Sequence, residues 1–152
     1  MIKEVTFEHT TYNDLPFKFE AGTPDIEGAI AMAAAIDYMN AIGLEKIAAH
    51  ESYLEQKATA ALKEINGIKL YGTAPQKAAV VSFRIEGIHH YDLGTLLDQM
   101  GVAVRTGHHC CQPLMARYGI TGTVRASFAA YNTEQEVDAF IEAIHKATSM
   151  LS

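Results

Sequence analysis

The chain has 152 residues, 49% of them hydrophobic and 20% charged, with twelve Lys and Arg against eighteen Asp and Glu. That length suits one domain with a sizeable core, and the composition excludes disordered, collagen-like and coiled-coil chains. A formal net charge of −6 argues against nucleic acid, which attracts a basic stripe, and against an anionic membrane surface.

Residues 1–18 read as extended and irregular, with Val5 and Phe7 alternating against polar neighbours and a turn at Asn13-Asp14-Leu15-Pro16. Thr23-Pro24 predicts a helix entry, Thr as N-cap and Pro at the first helical position. Ile26, Ile30, Ala33 and Ile36 carry that helix to a stop near Gly43. A second helix opens at Leu44, with Ile47, Leu54, Ala58, Ala61, Leu62 and Ile65 at helical spacing, and ends at Asn66-Gly67. The period then changes. Residues 68–71 and 78–85 read as strands joined by a loop with Gly72 and Pro75. Leu93, Leu96, Leu97 and Met100 predict a short helix ending at Gly101, and Val102-Ala103-Val104 a short buried strand. A loop from Arg105 to Pro113 precedes a strand over 124–128. Thr133 and Glu136 form a capping box for a last helix carrying Val137, Phe140, Ile141, Ile144 and Leu151. This order predicts an α/β or α+β fold, with helices packed on a small, largely antiparallel sheet. The first twenty or so residues have no partner element of their own.

No apolar run reaches the roughly 18 residues of a spanning helix, and the N-terminus lacks the charged-then-apolar pattern of a signal peptide. Both point to the cytoplasm. The two cysteines, Cys110 and Cys111, are adjacent, so a disulfide between them would be strained, and free thiols are expected.

The segment Arg105-Thr106-Gly107-His108-His109-Cys110-Cys111-Gln112-Pro113 concentrates chemistry. A strand delivers an Arg at its end, Gly107 permits bending, and two imidazoles precede two thiols. Positive neighbours favour thiolate, which is the nucleophile. Consecutive ligands point apart, whereas zinc ligands are usually spaced by two or more residues, so no metal is assigned. A buried, inert cysteine is the competing reading of Cys110. His89-His90 reads as a polar helix start.

Arg-Thr-Gly-His-His-Cys running on to Gln-Pro-Leu-Met closely resembles the catalytic-cysteine segment of SufS-type cysteine desulfurases. These belong, with selenocysteine lyases, to the pyridoxal-phosphate-dependent class-V aminotransferase family. Phe19-Glu20-Ala21-Gly22-Thr23-Pro24 matches the family's FEAGTP segment, and Val124-Arg125-Ala126-Ser127 with Tyr131-Asn132-Thr133 matches its RAS…YNT stretch, in the same order and spacing. The resemblance covers almost the whole chain but only about the last third of a family member. It implies the small C-terminal domain of a fold-type-I pyridoxal-phosphate enzyme over residues 25–152, with residues 1–24 an arm of a large domain. Cys110 aligns with the nucleophile that takes sulfur from L-cysteine as a persulfide and leaves alanine; L-selenocysteine is a second candidate substrate. Arg125 aligns with the residue gripping the substrate carboxylate, Arg105 with a second active-site Arg, and Gly22 and Thr23 with a segment that reaches the cofactor phosphate of the neighbouring subunit in a homodimer. The cofactor-bearing lysine of the family stands in a Ser-x-His-Lys segment upstream of FEAGTP. None of the eight lysines here has that context, and His145-Lys146 lies in the terminal helix. The chain alone is therefore expected neither to retain pyridoxal phosphate nor to desulfurate cysteine. A SufE- or SufU-type sulfur acceptor feeding iron–sulfur cluster assembly is the implied protein partner. A cofactor-free sulfur-carrier module and a metal-binding or structural partner domain are the alternatives.

Overall fold

The computed structural model describes residues 1–151. The chain forms two compact units, Met1–Gly43 and Leu44–Ser152, and each is described by itself.

In the first unit, β1 (Ile2–Val5) pairs antiparallel with β2 (Thr10–Tyr12). The stretch expected to lack a partner thus supplies its own. The turn is closed by the Thr6 hydroxyl, which accepts the amides of Glu8 at 3.2 Å and His9 at 3.1 Å, as Ser and Thr do in turns. A single 3₁₀ turn at Phe17–Phe19 follows. Helix α1 runs Ile26–Ile42 and stops at Gly43, as its apolar spacing predicts. Its cap differs from expectation. Asp25, not Thr23, is the N-cap, its carboxylate accepting from the Gly28 amide at 2.8 Å. A carboxylate both accepts the orphan amide and complements the positive end of the helix, so it outcompetes a hydroxyl two residues earlier. No residue of α1 is buried within the described chain.

The second unit holds α2 (Leu44–Lys63), β3 (Ile68–Tyr71), β4 (Val80–Ile85), α3 (His90–Gln99), β5 (Arg105–Gly107), α4 (Gln112–Tyr118), β6 (Thr123–Ser127) and α5 (Glu134–Leu151). The sheet order is β3-β4-β6-β5 and every pair is antiparallel. This is the mixed α/β layer the element order predicts. Strand alternation divides the sheet into two faces. Val81, Phe83 and Ile85 of β4 and Val124 and Ala126 of β6 face the core, where they meet Leu54, Ala58 and Leu62 of α2, Leu93 and Leu97 of α3, and Val137, Phe140 and Ile144 of α5. The Phe83 and Phe140 rings meet edge to face, 6.1 Å between centroids, a favoured aromatic geometry. The opposite parity gives the other face: Tyr71, Ser82, Arg125 and Arg105 are successive cross-strand partners along one row.

Two local expectations are corrected. Val102–Val104 is not a strand. Val102 and Val104 pack half-buried against the core, while the ladder with β6 begins at Arg105 and runs to Gly107. Pairing follows register with a neighbouring strand rather than the apolar run itself. The supposed loop up to Pro113 also holds a helix start: α4 opens at Gln112 with Pro113 in its first turn, where proline is tolerated because its missing N–H is not needed.

The capping box forms as its spacing predicts. The Thr133 amide donates to Glu136 Oε2 at 2.7 Å, and the Glu136 amide donates to Thr133 Oγ1 at 3.3 Å. The Thr133 amide, and then Asn132, hold the Glu136 carboxyl below its ordinary value. That contribution is therefore present above the ordinary glutamate range and lost as pH falls through the lowered value. Thr133→Ala is expected to lower stability by about 1 kcal/mol, the cost of a lost N-cap. A urea melt of the chain at neutral pH measures it through a lower midpoint at unchanged slope.

Candidate active site

The site is built where β5 runs out. Gly107 has φ 110°, which favours glycine at position 107, and a Cβ there would also stand 3.0 Å from the Tyr91 hydroxyl. The next residues make a tight turn. The Cys111 amide donates to the His108 carbonyl at 2.9 Å, and the Cys110 amide donates to His108 Nδ1 at 3.1 Å. His109 and Cys110 then take consecutive left-handed conformations, φ 53° and 58°. Such a conformation costs a non-glycine residue on the order of 1–3 kcal/mol and persists only where its surroundings enforce it. Here the two amide bonds enforce it, together with a 2.9 Å hydrogen bond between His109 Nε2 and the buried hydroxyl of Thr123.

The turn carries Cys110 outward. Its thiol is exposed, and Arg105 Nη2 donates toward Sγ at 3.7 Å. Cys111 is half-buried and lines a shallow cleft of about 230 Å³ together with Tyr71, Ser82, His109, Thr123 and Arg125. Arg105, on the edge strand β5, thus stands against the Cys110 thiol and directly opposite Arg125 of β6. Arg105 and Arg125 are direct cross-strand partners, an arrangement of like charges that destabilises a sheet unless something anionic lies between. Arg125 Nε is buried and has no hydrogen-bond partner among the described residues. A buried donor left unpaired is costly, and a carboxylate fits the fork it leaves open. Burial, then the charge of Arg125, push the His109 imidazole below its ordinary value, with the Thr123 bond pulling the other way. Burial, then His89, do the same to His90, which is 3% exposed. His89 caps α3, its Nδ1 accepting from the Tyr91 amide at 3.4 Å, as the helix-start reading expects. The burial of its neighbour had no sequence signal.

Gly22 and Thr23 lie in the first unit, just before α1. Their amides and the Thr23 hydroxyl have no hydrogen-bond partner among the described residues, and nothing stands within 4 Å of where a Gly22 Cβ would be. Three free donors on open backbone suit a phosphate. Asp25 already occupies the helix start, so an anion bound here would meet these donors and not the end of α1. Among the described residues no three His, Cys, Asp or Glu side chains converge as metal ligands, and no helix is long and apolar enough to cross a membrane.

The sheet-and-helix layer with this cysteine turn defines a class: residues 1–140 match the Aminotransferase class-V family, and the chain belongs to it. The fold is that of fold-type-I enzymes. Its relatives carry a narrower description. A probable cysteine desulfurase of Xylella fastidiosa (strain Temecula1) is 54% identical over 151 residues, covering 99% of this chain and 36% of that protein. One from Vibrio cholerae is 49% identical, covering 99% and 37%. Among solved structures, the Escherichia coli cysteine desulfurase CsdA, in an S-sulfonic acid form, superposes with a TM-score of 0.88 at 38% identity, over 100% of this chain and 38% of that one. The apo cysteine desulfurase of Thermococcus onnurineus NA1 gives 0.86 at 40% identity, over 99% and 38%. The chain therefore spans a little over a third of the length of these relatives.

Proposed function

We propose that this chain is the C-terminal part of a pyridoxal-phosphate-dependent cysteine desulfurase that converts L-cysteine to L-alanine and leaves the sulfur as a persulfide on Cys110. The observation that carries the reading is the exposed Cys110 thiol, raised on a strained turn beside Arg105 at 3.7 Å, with Arg105 in turn paired across the ladder with Arg125, whose buried Nε lacks a partner. When bound, pyridoxal phosphate supplies the electron sink that weakens the substrate C–S bond. Arg125 binds the substrate carboxylate, in two-point fashion through its planar fork. That anchors the amino acid so that its sulfur meets Cys110. Arg105 lies against Sγ and steadies charge there. The Cys110 sulfur attacks the substrate sulfur, an S–S bond forms, and the C–S bond breaks. The electron pair stays with the carbon fragment, which takes up a proton to become alanine. A soft, polarizable sulfur is required, since an oxygen nucleophile could not carry sulfane sulfur. Gly22 and Thr23 would hold the cofactor phosphate of the neighbouring subunit in a homodimer. Residues 1–24 act as an arm of the large domain and 25–152 as the small domain. L-selenocysteine is an alternative substrate. The exposed thiol suits delivery to a SufE- or SufU-type acceptor in the cytoplasm for iron–sulfur cluster assembly.

None of the eight lysines of this chain stands in the context of the family's cofactor-bearing lysine. The purified chain, given pyridoxal phosphate and L-cysteine, is accordingly expected to release no alanine, while the protein extended to the length of its relatives releases it in step with sulfur. Amino-acid analysis checks both arms. Alanine from the short chain would refute the assignment of the cofactor site, and none from the extended protein would refute the activity. Sulfur taken up at Cys110 from a persulfide donor without cofactor, with no desulfuration by the extended protein, would favour a plain sulfur carrier.

A further inference from the structure

We propose that Thr123 is a positioning residue for Cys110, acting through His109 to hold the thiol against the Arg105 guanidinium. Thr123 is 1% exposed, on β6 directly opposite Gly107, where the turn begins, and two residues before Arg125 on the same face. Its hydroxyl makes one side-chain hydrogen bond, to His109 Nε2 at 2.9 Å. That bond spans fourteen residues of sequence and ties the turn to a central strand. The other bonds of the turn, from the amides of Cys110 and Cys111 to His108, are local to it and would travel with it. The preceding Gly122 fixes the approach: a Cβ there would collide with the Gly107 carbonyl at 2.7 Å and with His90 Nε2 at 2.7 Å. The strand end bearing Thr123 is therefore seated against the backbone from which the turn springs.

The consequence for Cys110 follows from the backbone. His109 immediately precedes it, and both residues are left-handed. With its ring unanchored, His109 is free to relax toward the right-handed region that L residues favour. That relaxation rotates the peptide leading into Cys110 and swings its side chain away from Arg105. Burial and the charge of Arg125 keep the His109 ring neutral, so the anchor is a neutral imidazole–hydroxyl bond that persists at neutral pH. This inference rests on the proposed role of Cys110 only for what the thiol is used for; the geometry is tested without any turnover.

The test uses two alkylating reagents of the same chemistry, neutral iodoacetamide and anionic iodoacetate, on the 152-residue chain. Modification is followed at Cys110 by fragment-ion mass spectrometry, which separates it from Cys111. A guanidinium at 3.7 Å from Sγ favours the anionic reagent over the neutral one. In Thr123→Val the iodoacetate-to-iodoacetamide rate ratio is expected to fall roughly fivefold, the scale of one charge pair at about 4 Å in water. Arg105→Gln should give the same fall, the double variant no further fall, and Thr123→Ser should restore the parent ratio. A general loosening of the fold would instead raise both rates together. If Thr123→Val does not give the parent circular dichroism spectrum, Thr123→Ala and His109→Ala carry the same expectation from either end of the bond. A parent-like ratio in the folded variants overturns the proposal. So does a further fall on an Arg105→Gln background, or a ratio that Arg105→Gln leaves unchanged.

Discussion

In the proposed desulfurase, the chain extended to the length of its relatives, Cys110→Ala is expected to reduce turnover of L-cysteine by roughly a thousandfold or more, the scale on which loss of a nucleophile is felt, while the bound cofactor keeps its absorbance. Cys110→Ser should be as inactive, because the hydroxyl has the size but not the softness to hold sulfur. The neighbouring thiol does not offer a rescue. Cys111 has φ −132°, stands at the N-cap of α4 and lines the cleft, whereas Cys110 is lifted clear of the surface beside Arg105. One residue of sequence thus separates two different environments, since a side chain at a left-handed position leaves the backbone in another direction from one at a negative φ. Alanine release and persulfide content, measured together, check this. Turnover that survived in Cys110→Ala but vanished in the Cys110/Cys111 double variant would move the nucleophile to Cys111.

The parts of this molecule legible in its sequence are those that repeat a pattern. α2 and α5 were readable because Leu54, Ala58, Leu62 and Val137, Phe140, Ile144 recur at helical spacing and do form the core. The end of α1 was readable from Gly43, and the start of α5 from the Thr133–Glu136 box. What escaped was set by tertiary pairing. Val102–Val104 has strand-like composition, but β6 offers its ladder to residues 105–107, and a three-residue reading cannot show which triplet finds a partner. Asp25 displaced Thr23 as the cap because both are competent, and the choice turned on where the helix begins. α4 was hidden behind a motif dense in reactive residues. At the site, the motif pointed to Cys110, Arg105 and Arg125; in the structure Arg105 lies against Cys110 Sγ and opposite Arg125 across the β5–β6 ladder. The bond from His109 to Thr123 was not legible. Its residues lie fourteen apart and meet only because β5 and β6 are antiparallel neighbours. The one available signal was the parity of Thr123 with Arg125 along β6.

Arg125→Ala is expected to weaken productive binding of L-cysteine by about 2–5 kcal/mol, the loss when one partner of a buried charge pair is removed. At about 1.4 kcal/mol per tenfold, the lower bound is roughly a thirtyfold rise in Michaelis constant. The proposed carboxylate role predicts a second, opposite effect on the 152-residue chain. Arg125 makes no salt bridge among the described residues, leaves Nε unpartnered, and faces Arg105 directly across the β5–β6 ladder. Its removal takes away a repulsion and a buried unsatisfied donor, and breaks no ion pair. The denaturation midpoint of Arg125→Ala is therefore expected to stay the same or rise. A residue kept for the fold would lower it. Arg125→Lys separates charge from geometry. It restores a positive point charge but not the planar fork, so binding should recover only in part, and the like-charge repulsion with Arg105 should return. An unchanged Michaelis constant in Arg125→Ala, or a chain that melts well below the parent, would mean that this arginine serves the sheet and not the substrate.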